Sequence, residues 1–368
     1  MHVHGLDRTG RFRQATPLGA ALGLALLVGF LLIMAGMRAV PVGAVPVAVG
    51  LVTDEGTLAD LGFNWLSYQG LLRAATELGV AGTVYTSTSS ADYSVNLQQC
   101  VDDGNDLCLA VGFPMRDATW DAAQANPGAD FAILDVTWQT YPSNLRGTTF
   151  VAEEAGYLAG TLAGLMTTSG VVGAVGGMQI TPVEAFTESY RNAAQCINSG
   201  LTALITYTGT FGDPNLGAQV AQQQMAQGAD VIFGVGGATG VGAVLTATQS
   251  AAWAIGVDTD YYVTVFDNGS ADGAHKVLSS AMKRLDNAVY LTIADVVGGT
   301  FTPGTVVYDL AAGGVGLASF HEAGSSVPQS VRNVLDWTEK GIIAGVIDPL
   351  GPCPSRVYVP LVARNAGP

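Results

Sequence analysis

Polar and aromatic side chains that could hold a small ligand follow several predicted strands, at the point where each strand ends. In open sheets of parallel strands, ligands bind beyond the carboxyl ends of the strands, because the loops there converge on one edge. We therefore expect these residues to form one site. In chain order they are Asp54, Phe63, Asn64, Asp135, Asp258 and Lys283.

The chemistry of this set suits a polar ring that carries a sugar. A carboxylate such as Asp258 accepts two hydrogen bonds and can hold sugar hydroxyls, and a phenyl ring such as Phe63 stacks on flat heterocycles. The set contains a single cation, Lys283, so it does not suit a phosphate. Each residue also has a structural interpretation, because a strand-end Asp often caps a helix and a Phe often belongs to the core.

A glycine-rich turn, Gly234-Val235-Gly236-Gly237-Ala238-Thr239-Gly240, lies between a predicted strand and a predicted helix. With Asp258 at the end of the next strand, this pattern resembles a dinucleotide-binding fingerprint. A strict G-x-G-x-x-G pattern would need Gly where Thr239 stands. The turn can equally be a helix start that offers N–H groups to any ligand, and we expect no nicotinamide cofactor.

Catalytic motifs receive little support from the sequence. No G-x-S-x-G follows a strand, and no His is placed beside a Ser or Cys nucleophile. Asp258 and Asp260 could pair as an acid and a base, but no partner His or metal cluster accompanies them. We therefore expect ligand binding without catalysis and without a cofactor or metal.

Apolar strands alternating with amphipathic helices position these residues. Runs such as Leu107–Val111 and Val231–Val235 are apolar throughout, which is typical of parallel strands covered by helices on both faces. Helix starts carry proline, as at Pro182. We predict an α/β fold with doubly wound parallel sheets. One large sheet would fit the pattern, but two smaller sheets suit 368 residues better.

The N-terminal segment, residues 1–44, predicts export. Arg8, Arg11 and Arg13 precede the uncharged stretch Leu18–Met37, which reads either as a signal peptide or as an uncleaved membrane anchor. A buried core helix is the remaining alternative. Both export interpretations place the rest of the chain outside the cytoplasm, at the cell surface or in a periplasm. No Cys follows the apolar stretch, so we expect no lipid anchor.

Composition and cysteine count agree with an exported binding protein. The chain has 49% hydrophobic and 12% charged residues, with 30 acidic against 15 basic, so we expect large cores and no nucleic-acid partner. Four cysteines allow three pairings. We expect Cys100–Cys108 first, because a short loop between a helix and a strand could bring them together. Their spacing does not suit zinc.

Three motifs resemble a known family. The opening stretch Val47–Gly70 reads as a strand followed by D-x-G-x-x-x-D-x-x-F-N. The stretch Glu154–Gly160 reads E-A-G-Y-L-A-G, and Ile255–Asp260 reads I-G-V-D-x-D. Together they resemble the basic membrane protein family of substrate-binding proteins, which serve ABC transporters and whose best-known members bind purine nucleosides. The resemblance covers about residues 46–345.

The resemblance implies a type I periplasmic-binding-protein-like fold, in which two lobes are joined by hinge strands and close over the ligand. On this basis we expect hinges near Thr148, Phe266 and Thr300. The expected division is 46–147 with about 267–300 for the N-terminal lobe, 148–266 with about 301–346 for the C-terminal lobe, and 347–368 for a tail.

The resemblance also implies roles for individual residues. Asp54 and Asn64 would hold the edge of a purine base, with Phe63 stacking on it. The backbone of Gly236 and Gly237 would help Asp258 to bind ribose hydroxyls. Further expected contacts are the polar groups of Asp135 and Lys283 and an opposing ring from Phe211.

The implied partners are a purine nucleoside or similar ligand and the membrane subunits of an ABC transporter, with the protein itself a monomer. A membrane-anchored ligand sensor with the same fold is an alternative. A nucleoside-processing enzyme using Asp258, Asp260 or Lys283 is another. Two features depart from the family pattern: Tyr261 stands where Gln is usual, and the lipid-modified Cys is missing.

Overall fold

The computed structural model describes residues 46–55 and 58–354. The expected signal peptide or anchor at 1–44 and the end of the expected tail, 355–368, lie outside the described residues. Among the helices that are described, none combines the length and the apolar character needed to cross a bilayer.

Strands and helices alternate along the described chain. The strands are β1 (Ala48–Thr53), β2 (Ala81–Tyr85), β3 (Leu107–Val111), β4 (Asp130–Leu134), β5 (Leu145–Phe150), β6 (Val171–Gly176), β7 (Thr202–Tyr207), β8 (Val231–Val235), β9 (Trp253–Asp258), β10 (Val277–Lys283), β11 (Gly304–Tyr308) and β12 (Val315–Leu317). The helices are α1 (Phe63–Leu78), α2 (Tyr93–Asp102), α3 (Arg116–Ala125), α4 (Ala152–Met166), α5 (Thr181–Ile197), α6 (Pro214–Ala226), α7 (Gly237–Thr248), α8 (Tyr261–Thr264), α9 (Leu285–Gly298) and α10 (Gln329–Ile343). Short 3-10 turns lie at Ser90–Asp92, Phe113–Met115, Asp267–Gly269, Ala274–Lys276 and His321–Ser326.

The described strands form two sheets of six strands each. The first sheet has the order β11-β5-β4-β3-β1-β2 and is parallel throughout. The second has the order β12-β10-β9-β8-β6-β7 and is parallel except for the short antiparallel strand β12. Central strands such as β3 and β8 are buried along their whole length. The predicted α/β fold is therefore confirmed, in the form of two sheets.

The E-A-G-Y-L-A-G motif has a packing role in helix α4. A Cβ on Gly160 would lie 2.1 Å from the carbonyl oxygen of Tyr190, and a Cβ on Gly156 would lie 2.2 Å from Ser189 Oγ. Only glycine lets α4 and α5 approach this closely, because any side chain would collide with the facing helix. The motif thus determines how two helices of the second lobe pack.

The chain passes between the sheets three times, and two of the expected boundaries need correction. The stretch 267–300, expected in the N-terminal lobe, includes β10, which pairs with β9 in the second sheet. The stretch 301–346, expected in the C-terminal lobe, includes β11, which pairs with β5 in the first sheet. The residues of β10 and β11 do not indicate which sheet each strand joins, because that is decided by pairing with strands far away in the sequence.

The three crossings lie at Val151, Arg284 and 309–314, between the end of one sheet and the start of the other. They lie side by side, since the Val151 N–H donates to the Tyr308 carbonyl at 3.0 Å and the Arg284 N–H donates to the Gly314 carbonyl at 2.9 Å. The hinge expected near Thr148 falls inside β5.

The other two expected hinge positions do not lie at crossings either. Phe266 is fully buried after α8, within the second lobe. Thr300 lies between α9 and β11, and both of these elements belong to the first lobe because α9 packs on α1 and β11 pairs with β5.

Two disulfides tie helices to neighbouring segments. The expected pair Cys100–Cys108 is present and joins α2 to β3. The second disulfide, Cys196–Cys353, joins α5 to the segment after α10. Asn192 reinforces the second link, because its side-chain amide donates to the carbonyls of Pro349 and Gly351 at 2.9 and 2.8 Å. The end of the described chain is thereby fixed to the second lobe.

Candidate functional site

A cavity opens between the carboxyl ends of the two sheets. It contains about 820 Å³ of space, counting its opening to solvent. All nine residues singled out from the sequence line it: Asp54, Phe63, Asn64, Asp135, Phe211, Gly236, Gly237, Asp258 and Lys283. The topology therefore brings together side chains that are up to about 229 positions apart in the chain.

Asp60 organises the loop that leads into helix α1. Its carboxylate accepts backbone N–H bonds from Gly62 at 2.9 Å, from Asn64 at 3.1 Å and from Trp65 at 3.1 Å. N–H groups at the start of a helix have no acceptor within the helix, so the Asp60 carboxylate acts as an N-terminal cap. Burial raises the pKa of Asp60, while these same N–H bonds act in the opposite direction. Asp60 thus holds its neighbours in place at the cavity wall.

Asn64 presents an unsatisfied acceptor at the cavity. Its side-chain Nδ2 donates to Asp54 Oδ1 at 2.9 Å, which fixes the orientation of the amide. Its Oδ1 is buried and has no hydrogen-bond partner among the described residues. A buried acceptor without a partner carries a desolvation cost, which a ligand N–H would remove. The pair Asp54–Asn64 is therefore arranged to receive hydrogen-bond donors.

Asp135 and Lys283 form an ion pair between the two sheets. Asp135 follows β4 in the first sheet, and Lys283 ends β10 in the second. Lys283 Nζ donates to Asp135 Oδ2 at 2.7 Å, and the two side chains are only 2% and 6% exposed. A buried charge needs such a partner, because desolvation of an unpaired charge is strongly unfavourable. Lys283 is thus already neutralised by a carboxylate.

Asp258 is the ionisable group most perturbed toward neutrality in the cavity wall. Burial raises its pKa to about 7, the nearby charges of Asp135 and Asp60 act in the same direction, and Lys283 opposes them. The backbone of Asp258 is also unusual, with φ of 63° in the left-handed region. Asp135 has the same φ of 63° at the end of β4. Non-glycine residues adopt this conformation at a cost, and such strain concentrates at functional sites.

Four phenyl rings from the described part of the chain line the cavity. Phe63 and Phe211 belong to the set identified from sequence, whereas Phe113 and Phe186 do not. Phe113 follows β3, so its position at a strand end was a usable signal. Phe186 comes from the middle of α5, where an apolar ring is indistinguishable by pattern from a core residue. Lys283 Nζ lies 5.4 Å from the centroid of Phe63 and 5.1 Å from that of Phe186.

Glycines of the second lobe make room for the ring of Phe211. A Cβ on Gly177 would lie 2.3 Å from Phe211 Cδ1, and one on Gly236 would lie 3.0 Å from the same atom. Thr239, the residue that breaks the dinucleotide fingerprint, supports the Phe211 loop. Its N–H donates to the Phe211 carbonyl at 3.1 Å, and its Oγ1 accepts from the Asp213 N–H at 3.0 Å. The glycine turn therefore serves ring packing and a helix start.

Neither Asp260 nor Tyr261 belongs to the cavity wall. Asp260 Oδ2 lies 2.7 Å from His321 Nε2, so a His does accompany Asp260, but outside the cavity wall. Tyr261 is fully buried against Gly256, where a Cβ would lie 2.4 Å from its ring. Within the described part of the chain, no group of His, Cys, Asp or Glu side chains could hold a metal ion.

Carboxylates dominate the electrostatics of the cavity. Among the described residues, five acidic side chains line it, against one lysine that is itself paired with Asp135. Such a wall accepts hydrogen bonds and repels anions, so it favours a ligand that is neutral or cationic and rich in N–H and O–H groups. The phenyl rings add flat apolar faces to this polar wall.

Comparison with known proteins agrees with this architecture. The sequence model of the family described as ABC transporter substrate-binding protein, PnrA-like, matches residues 47–347. The chain belongs to this family. This match confirms the resemblance to basic membrane proteins, which was drawn from the opening, E-A-G-Y-L-A-G and I-G-V-D-x-D motifs. Membership of the PnrA-like family places the chain among the substrate-binding proteins of ABC transporters.

Individual relatives are similar to this chain over most of their own length. The ABC transporter nucleoside-binding protein BmpA of Lactococcus lactis is 30% identical over 303 residues, which are 78% of this chain and 86% of that protein. Basic membrane protein A of Borreliella burgdorferi is 31% identical over 274 residues, 73% and 78% of the two chains. The structure of a solute-binding protein of an ABC transporter system from Aeropyrum pernix covers 82% of this chain and 93% of its own, at 28% identity and a TM-score of 0.74.

Proposed function

We propose that the protein captures a purine nucleoside in the cavity between its lobes and delivers it, chemically unchanged, to the membrane subunits of an ABC transporter. One observation carries the proposal: phenyl rings and hydrogen-bond acceptors from both sheets line a single cavity. A purine offers flat faces and N–H donors, and ribose offers vicinal hydroxyls. The proposal agrees with the name of the Lactococcus lactis relative as a nucleoside-binding protein.

The base would lie between Phe63 and Phe211, with its edge toward Asp54 and Asn64. The buried Oδ1 of Asn64 supports this orientation, because it has no donor from the described residues and would gain one from the base. Asp54 Oδ1 already accepts from Asn64, so the two side chains would act as one hydrogen-bonding unit.

The ribose would lie toward the second sheet. Asp258 would accept hydrogen bonds from the sugar hydroxyls, with the backbone of Gly236 and Gly237 beside it, since all three line the same cavity. Lys283, held by Asp135, would give the remaining polar contact. The ionised form of Asp258 would be the binding form, because only a carboxylate accepts hydrogen bonds with both oxygens from two hydroxyl donors.

The proposed setting is extracytoplasmic, with residues 1–44 acting as a signal peptide or an anchor and the protein working as a monomer. No catalytic step is part of the proposal. Asp260 is engaged by His321 and Lys283 by Asp135, so two of the three residues considered for an enzyme are occupied in other contacts. Release of a free base or ribose from an added nucleoside would overturn the non-catalytic part.

Calorimetric titration of the full chain in mild detergent with guanosine, inosine, adenosine, cytidine and ribose tests the proposal. We expect binding of purine nucleosides, with little heat from cytidine and none from ribose alone. Phe63→Ala and Asp258→Ala should abolish measurable binding, whereas Asp272→Ala, which changes an exposed carboxylate outside the cavity, should retain it. Absence of heat with every purine nucleoside would refute the proposed ligand class and leave the family assignment unaffected.

A further inference from the structure

A hydrogen bond joins the two lobes beside the cavity, apart from the residues that line it. Thr259 directly follows β9 of the second sheet and is only 2% exposed. Its Oγ1 donates to the carbonyl oxygen of Leu61 at 3.0 Å. Leu61 lies just before helix α1, which packs against strands of the first sheet. The bond therefore spans from one lobe to the other.

The Leu61 carbonyl is held toward Thr259 by an unusual backbone conformation. Leu61 has φ of 52°, in the left-handed region that residues with a large side chain rarely adopt. The Asp60 carboxylate fixes this conformation, because it accepts the N–H groups of Gly62, Asn64 and Trp65 that follow. The loop thus holds Leu61 at an unfavourable φ, and this conformation points the Leu61 carbonyl at the second lobe.

We propose that Thr259 is a positioning residue for ligand capture, because its hydroxyl fastens the loop that carries Asn64 to the strand end that carries Asp258. The proposal rests on the proposed function for the identity of the ligand. Thr259 is not part of the cavity wall, so it acts through the two segments it joins. Without this bond the lobes separate more readily, and a captured ligand leaves faster.

The neighbour Thr264 provides a matched control. Thr264 Oγ1 lies 3.0 Å from Thr259 Oγ1 and 3.2 Å from the Asp260 carbonyl, all within the second lobe. Thr264→Val removes these contacts and keeps the bond to Leu61. Thr259→Val keeps the shape of the side chain and removes the donor to Leu61. The two variants thus differ in whether the bond between the lobes survives.

The first test is the dissociation rate of inosine, measured by stopped flow on the full chain. Thr259→Val should raise this rate about three- to tenfold, the range for one hydrogen bond between neutral groups, and leave the association rate unchanged. Thr264→Val should leave both rates unchanged, and thermal unfolding without ligand should agree between the two variants. An unchanged dissociation rate in Thr259→Val refutes the inference. Failure of the wild-type chain to bind any nucleoside refutes the proposed function.

The second test needs no ligand and decides the inference even when the proposed function fails. All four cysteines are in disulfides, so spin labels attach selectively to introduced Val95→Cys in the first lobe and Gln222→Cys in the second, both at exposed positions. In the Thr259→Val background the distance distribution should shift toward longer separations, and in the Thr264→Val background it should not. Identical distributions in the two backgrounds overturn the role of Thr259.

Discussion

Nucleoside affinity should fall as the pH drops below about 7, because the binding form of Asp258 is its ionised form. Burial raises the pKa of Asp258 to about 7, helped by the charges of Asp135 and Asp60 and opposed by Lys283. Two hydroxyl donors from ribose would stabilise the carboxylate and lower its pKa in the complex. Binding below neutral pH therefore requires the loss of a proton from Asp258.

The size of the effect follows from the fraction of Asp258 that is ionised before binding. With a pKa of about 7, roughly three quarters of the molecules carry the carboxylate at about pH 7.5, and roughly 3% carry it at about pH 5.5. The dissociation constant should thus rise about twenty- to thirtyfold between these two conditions. Close to one proton should be released for each nucleoside bound at about pH 6.

Calorimetry in two buffers with different heats of ionisation measures both quantities. Asp258→Asn should bind more weakly and lose the dependence on pH, because its amide does not titrate. Asp272→Asn, an exposed control, should keep the slope of the wild-type chain. An affinity that stays constant from about pH 5.5 to about pH 8, or an uptake of protons on binding, would refute the assignment of the ionised Asp258 as the binding group.

Three further outcomes can be measured, two of them on variants and one with a different ligand. Since the pKa of folded Asp258 is raised, its contribution to stability is present below about pH 4 and is lost as the pH rises to about 7, so Asp258→Asn should raise Tm at about pH 7.5 and lose most of that gain near pH 4. Gly177→Ala should weaken nucleoside binding about three- to tenfold in titrations by displacing the Phe211 ring, whereas Gly128→Ala, with open space around it, should not. A nucleoside 5′-monophosphate should bind at least about a hundredfold more weakly than its nucleoside in competition assays, because Lys283 is already paired and the other charges in the wall are negative.

The residues of the candidate site were accessible from sequence because one rule places them. Asp54, Asp135 and Asp258 each follow a strongly apolar run, and parallel strands gather such ends at one edge. The environment of each side chain could not be predicted from the sequence in the same way. Burial raises the pKa of Asp258, and the charges of Asp60 and Lys283 act on it in opposite directions, although these residues are far apart in the chain and meet only in the fold.

Strands β5 and β11 are not apolar throughout, and the sequence pattern does not predict them. Strand β5 contains Arg146, a glycine and two threonines, and only the structure supplies the ion pair to Asp295, at 2.6 Å, that permits burial of this arginine. Strand β11 alternates between exposed and half-buried positions at a sheet edge. These two strands precede the crossings at Val151 and 309–314, and the hinge expected near Thr148 falls inside β5.

Backbone strain in the described chain is concentrated where the lobes meet. Six described non-glycine residues have positive φ, and three of them, Leu61, Asp135 and Asp258, lie at the cavity or at the contact between the lobes. A left-handed residue costs about 1–2 kcal/mol, less for Asp, and two of these three have a specific partner: Thr259 for the Leu61 carbonyl and Lys283 for the Asp135 carboxylate. Asp258 is the exception, because its carboxylate is buried with a raised pKa and gains two donors only from a ligand in the proposed complex. In the proposed complex, filling the cavity would therefore relieve both Asp258 and the unpartnered Oδ1 of Asn64. This is the energetic condition for a binding protein whose lobes close around their ligand.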